Sequence, residues 1–139
     1  MLERLLHAYF SVAERSVRPL VRVHWQAGRP TLVVAGLMVP LIRMGGASTE
    51  SSDERRAISV TVDSGLLVSA ASSARLTLAL ERVRPHVWAR VELVGYHARG
   101  SQSPIVRWLF AVSQGQLHVW VSSRFLSELR RAWPAAGSR

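Results

Sequence analysis

The most unusually placed polar side chain in this sequence is a histidine. Drawn as a helix at about 100° per residue, Gln116–Trp133 gathers Leu117, Val121, Phe125, Leu126, Leu129, Ala132 and Trp133 on one broad arc. Ser123, Arg124, Ser127, Arg130 and Arg131 fall on the opposite arc. His118 lies in the middle of the apolar side, with Ser122 one turn on. An imidazole facing a core must find a hydrogen-bond partner or line a cavity that holds one. The plainer solution is a backbone carbonyl. The functional one is a ligand, or catalysis with His118 as general acid or base and Ser122 or Tyr96 assisting.

Other chemistry finds little support. His7, His24, His86 and His97 lie far apart on different expected elements, without metal-ligand spacing, and the chain has no cysteine. Neither a metal nor a cofactor is therefore expected. Asp63, Glu81 and Glu92 sit on expected outward strand faces, so paired-carboxylate catalysis has no basis. No serine occupies a G-x-S-x-G context, and Gly45-Gly46 lacks the rest of a phosphate loop. Trp25, Trp88 and Trp108 are either core aromatics or the walls of a hydrophobic pocket.

The elements that must position these residues belong to an apolar, strongly basic chain. Its 139 residues are 48% hydrophobic, enough for one domain with a buried core. The longest apolar run, Thr31–Ile42, falls short of the roughly 20 residues a membrane-spanning helix needs. Glu3, Arg4 and His7 interrupt the leucines of the first segment, which breaks the stretch a secretory signal requires. A cytoplasmic setting is the expectation. All the strong cations are arginine, with no lysine and no asparagine, a bias that codon usage in a GC-rich genome explains. The net charge of +9 attracts anions, but the arginines are scattered and no nucleic-acid motif accompanies them, so nucleic acid is disfavoured as a partner.

Periodicity predicts an α+β fold: an antiparallel meander of about six strands, an N-terminal helix and a long C-terminal amphipathic helix. Leu2, Leu5, Leu6, Tyr9 and Ala13 recur at helical spacing, and Pro19 ends that helix. Val21–Gln26 alternates as a strand, Ala27–Pro30 turns the chain, and Thr31–Val39 reads as a buried strand. Gly45–Arg56 has no periodicity and is expected to be a mobile loop. Ile58–Val62 and Leu66–Ala70 follow as strands. A hairpin then turns at Arg84-Pro85-His86, with Leu76, Leu78, Leu80, Ala89, Val91 and Leu93 inward. Trp88, Arg90, Glu92 and Tyr96 face outward, where Arg75 and Glu81 are placed to pair with Arg90 and Glu92. Ile105–Val112 suits a buried helix or a strand, and Ser113–Gln116 fits a capping box that restarts the helix to Trp133.

The stretch Val91-Glu92-Leu93-Val94-Gly95-Tyr96, followed by a terminal helix carrying Gln116, His118 and Arg124-Phe125-Leu126, resembles the START-like, or polyketide cyclase/dehydrase and lipid-transport, superfamily over about Ala57–Trp133. The superfamily's usual first strand is missing or very short here. The resemblance implies a helix-grip fold that holds an apolar or aromatic ligand between sheet and helix, for transport or for cyclisation and dehydration. The expected site is then Leu117, His118, Ser122, Val121 and Phe125 from the helix with Leu78, Val91 and Leu93 from the hairpin, and Gly45–Arg56 as its lid. The competing expectation is a non-catalytic interaction protein forming a homodimer through a sheet edge or through Ile105–Val112. A third is a peripheral binder of acidic membrane or nucleic acid through arginine.

Overall fold

A computed structural model of the chain describes residues 1–69, 73–96, 104 and 116–132. Helix α1 spans Leu2–Val17 and buries Leu5, Leu6, Tyr9, Phe10 and Val12, the stripe its spacing predicts. Glu3 in its first turn and Arg15 in its last suit the helix dipole. Arg18 is extended ahead of Pro19, as the proline ring requires, and the helix stops there.

Six strands follow in a simple up-and-down order: β1 (Val21–Gln26), β2 (Arg29–Val34), β3 (Pro40–Ser51), β4 (Arg55–Ser64), β5 (Arg75–Val83) and β6 (His86–Val94). Each pairs antiparallel with the next, and the sheet curls around the helices on one face. Helix α2 (His118–Ala132) closes the fold, resting mainly on α1 and touching the sheet at β6. The α+β meander expected from periodicity is therefore the fold observed.

Cross-strand register explains the core. Ile58 on β4 pairs with Leu78 on β5, which pairs with Val91 on β6; Val60, Leu76 and Leu93 form the next row. Leu5, Leu6, Tyr9 and Phe10 of α1 and Val121 and Phe125 of α2 pack on these rows in one cluster. Each such side chain contributes about 1.5–3 kcal/mol by leaving water. Across the middle of β4 and β5 the opposite face is polar or small, with Ala57 paired to Ala79 and the Ser59 and Thr77 hydroxyls bonded at 2.9 Å.

Several local expectations are corrected. The turn at 27–30 is only two residues long: Ala27 and Gly28 both have positive φ, the backbone of a tight hairpin, so Arg29 and Pro30 already belong to β2. The strand expected at Thr31–Val39 ends at Val34, because Gly36 and Met38 take positive φ and turn the chain into β3. Gly45–Arg56 is not a mobile loop. It is the second half of β3 and the start of β4, paired from Ala47↔Val60 to Ser51↔Arg56. Its small polar side chains hide the strand from a periodicity test, since this end of β3 lies exposed and needs no apolar face. The register shifts between Met44 and Ala47, where Gly45 lies close against the exposed side chains of Thr61 and Asp63.

Two further differences lie near the ends of strands. The described part of Leu66–Ala70 is a turn with a single bridge at Val68, held by Leu66 N–H to Pro40 C=O (3.1 Å) and Leu67 N–H to Leu41 C=O (3.0 Å). The charged pairs expected across the last hairpin do not form, because Thr77 opposes Glu92 and Ala79 opposes Arg90. Glu81 instead meets Arg55 of β4 at 3.3 Å, and Arg90 meets Glu92 on its own strand at 3.4 Å. The expectations for Ile105–Val112, for Trp108 and for the capping box at Ser113 lie outside the described residues.

Candidate functional site

All eight residues expected to form a ligand site come together. Leu78, Val121 and Phe125 are core residues, and Leu117, Val91 and Leu93 pack against the same cluster. The interface they form is filled by side chains: Leu78 is 1% exposed and Phe125 3%. Phe125 meets Tyr9 edge-to-face at 5.4 Å, and Tyr9 meets Phe10 in the same way at 5.5 Å.

The polar members converge on a residue that sequence reasoning did not single out. The Tyr9 hydroxyl lies 3.3 Å from His118 Nδ1, so the partner of the core-facing imidazole is a phenol on α1 rather than a backbone carbonyl. The Ser122 hydroxyl is buried near that phenol and makes no full hydrogen bond. Burial pushes the Tyr9 phenol above its ordinary 10.0, with the Ser122 hydroxyl pulling the other way. Burial pushes the His118 imidazole below its ordinary 6.5, which favours the neutral ring. The available signal for Tyr9 was its place on the apolar stripe of α1, since a buried phenol needs a hydrogen-bond partner.

Tyr96, expected to face outward, turns inward after Gly95 at φ +71°, and its hydroxyl donates to the Leu67 carbonyl at 2.8 Å. It anchors the β4–β5 connection against the Val62, Val68 and Ala74 cluster. With Gly45–Arg56 committed to strands, the expected lid is absent. Among the described residues no group of three His, Asp or Glu side chains is placed to hold a metal.

The other aromatic positions divide by environment. His7 stacks on Trp25 at 3.8 Å, and Trp25 meets Phe10 edge-on, so Trp25 seals the β1 side of the core. Trp88 is 61% exposed on the outer face of β6. At the far end of the helix pair, Arg15 of α1 and Arg124 of α2 share Glu128, at 2.8 and 3.4 Å. Tyr9 with His118 and Arg15 with Glu128 therefore bring the C-terminal turns of α1 and α2 to the same end of the molecule.

That end carries the least expected feature. Leu20, Leu37, Met38, Val39 and Leu66 are all exposed large apolar residues, drawn from the α1–β1, β2–β3 and β4–β5 connections. Backbone bonds hold them together: Ala35 N–H to Leu20 C=O at 2.9 Å, Val34 N–H to Val39 C=O at 2.9 Å, and Leu66 N–H to Pro40 C=O at 3.1 Å. Beside them an open groove of about 490 Å³ is lined by Val39, Pro40, Leu66 and Val68 together with Arg43 and Asp63. A second, more polar groove of about 680 Å³ lies at the opposite end, between the β3–β4 and β5–β6 hairpin tips. No helix among the described residues is long and apolar enough to cross a membrane.

Comparison of the chain with protein-family models, with curated proteins and with solved structures finds no match in any of the three.

Proposed function

We propose that this protein is a non-catalytic docking module that works through its outer surface. The observation that carries this reading is the exposed apolar end formed by Leu20, Leu37, Met38, Val39 and Leu66. Isolated apolar residues are ordinary on a protein surface, but a contiguous group is a common mark of an interaction site. The filled interface around Phe125 and Leu78 supports the same view, since it leaves the outside of the fold as the place to bind. The test is fractionation of the native host, comparing the wild-type chain with Leu37→Asp/Met38→Asp. Both positions are exposed turn residues, so the variant keeps its core. The wild type is expected in a high-mass or sedimenting fraction and the variant as free monomer. Two free monomers would overturn the reading.

A second reading places a small hydrophobic ligand between sheet and α2, as the START-like resemblance implies. It is supported by the buried Ser122 hydroxyl, which lacks a full hydrogen bond beside Tyr9 and His118. Room for the ligand would come from α2 lifting off β6. Native mass spectrometry of the protein purified from its host tests this: a retained small molecule, lost in Ser122→Val, supports it, and a bare chain mass refutes it.

A further inference from the structure

We infer that the apolar end of the sheet docks onto an anionic lipid surface. This deepens the docking reading above and depends on it. The form of the patch is the first argument. Leu37 is 74% exposed, Leu20 62% and Met38 56%, and they project from turns rather than from a strand face. The β2–β3 turn is held in this shape by positive φ at Gly36 and Met38 and by the bond from Met38 N–H to Val34 C=O at 3.1 Å. The side chains at these turn tips, Leu37, Met38 and Val39, are all aliphatic or thioether groups. Among the described residues the patch carries no aromatic anchor of the kind that dominates protein interfaces. Such tips suit the headgroup–acyl boundary of a bilayer, which accepts apolar side chains without a matching pocket.

Charge is the second argument, and it selects the lipid. Arg43 lines the groove beside Val39 and Leu66 and has no ion-pair partner among the described residues. Arg22 follows Leu20 closely along the chain and is likewise unpaired. Arg130 and Arg131 close the last turn of α2, which the Arg15–Glu128 pair brings to the same end. Arg43 therefore lies beside the apolar tips, with Arg22, Arg130 and Arg131 at the same end of the molecule, and Asp63, whose carboxylate accepts a bond from the Thr61 hydroxyl at 2.7 Å, is the acid of the groove. Apolar tips with an unpaired arginine beside them match the two attractions of an anionic bilayer: apolar insertion and phosphate pairing. The chain's net charge of +9 adds long-range attraction to the same surface.

The test is sedimentation of the purified chain with large vesicles, some of pure phosphatidylcholine and others with about one-third phosphatidylglycerol. The chain is expected to sediment with the anionic vesicles, less so in high salt, and weakly or not at all with phosphatidylcholine alone. Leu37→Asp/Met38→Asp is expected to weaken binding about tenfold or more through lost apolar insertion. Arg22→Gln and Arg43→Gln each weaken it about fivefold. Val87→Asp, at the opposite hairpin tip, leaves it unchanged. Circular dichroism verifies that each variant is folded. Binding that persists in the Leu37/Met38 variant and depends only on salt would mean general adhesion of a basic protein and would overturn the proposal. Absence of vesicle binding, with a dimer by sedimentation velocity that the same variant abolishes, overturns the lipid assignment but keeps the docking reading. Neither vesicle binding nor patch-dependent self-association removes both.

Discussion

The Tyr9 hydroxyl and His118 Nδ1 stand 3.3 Å apart, 109 residues distant in sequence, and link the first helix to the last. The bond lies where two apolar helix faces meet the sheet, so it gives the helix pair a fixed register that apolar contacts alone would not specify. Tyr9→Phe keeps the ring packing against Phe10 and Phe125 and removes only the hydroxyl. The expected cost is about 1 kcal/mol, read from the urea midpoint. In a His118→Leu background the same change should cost markedly less. Equal costs in both backgrounds would show that the pair is not coupled.

Stability should depend on pH through His118. Burial lowers the pKa of the folded imidazole below its ordinary 6.5. Above that value both folded and unfolded chains carry the neutral ring, and the full stability is present. As pH falls below it the unfolded chain takes up the proton first, so stability drops until pH passes the folded value. Unfolding free energies measured from neutral to mildly acidic pH should fall, and His118→Gln should flatten part of that slope. An unchanged slope in the variant would assign the dependence to other groups.

The phenols should report their burial directly. Tyr9 and Tyr96 are the two tyrosines of the chain, and burial pushes both above 10.0. Ultraviolet titration of the folded protein should therefore show no phenolate midpoint at the ordinary value, with ionisation coming at higher pH. Stability is fully present below pH 10.0 and is lost as pH rises through the folded values, because the unfolded phenols ionise first.

Gly45 marks where β3 crowds its neighbour. A Cβ there would collide with the Thr61 hydroxyl and sit 2.8 Å from the Asp63 carboxylate. Gly45→Ala is expected to cost about 0.5–1.5 kcal/mol by chemical denaturation, because the exposed Thr61 and Asp63 side chains must turn aside to admit it. Thr61→Ala should recover part of that loss by removing the nearest obstacle. A neutral Gly45→Ala would mean that the bulge relaxes freely.

Core and surface should respond very differently. Ile58 is fully buried, at 0% exposure, and Ile58→Ala should cost about 2–5 kcal/mol. Trp88 is 61% exposed on the outer face of β6, and Trp88→Ala should change stability by less than about 0.5 kcal/mol. A large loss at Trp88 would place a buried contact on the outer face of β6.

Much of the fold was legible in the chain because it follows from local periodicity. The stripe of Leu5, Leu6 and Tyr9 and the alternation of Leu76, Leu78, Val91 and Leu93 both appear as read. The buried arc of α2 through Val121 and Phe125 does too. Each of these segments carries its own apolar face, and a face is visible in one segment at a time. The second half of β3 was not visible, because Ala47–Ser51 is held by backbone bonds to β4 rather than by an apolar face.

What the sequence determined by itself was the class of fold, the apolar faces of its helices and hairpin and the odd position of one imidazole. Only the tertiary structure decided what that imidazole meets, because Tyr9 and His118 share no local pattern and come together through the packing of two helices on one sheet. The same holds for the exposed end. Leu20, Leu37 and Leu66 belong to three separate connections, and only the backbone bonds between those connections make them one surface. Periodicity records which face of an element is apolar; which connections meet in space is set by strand order and register, and these depend on the whole chain.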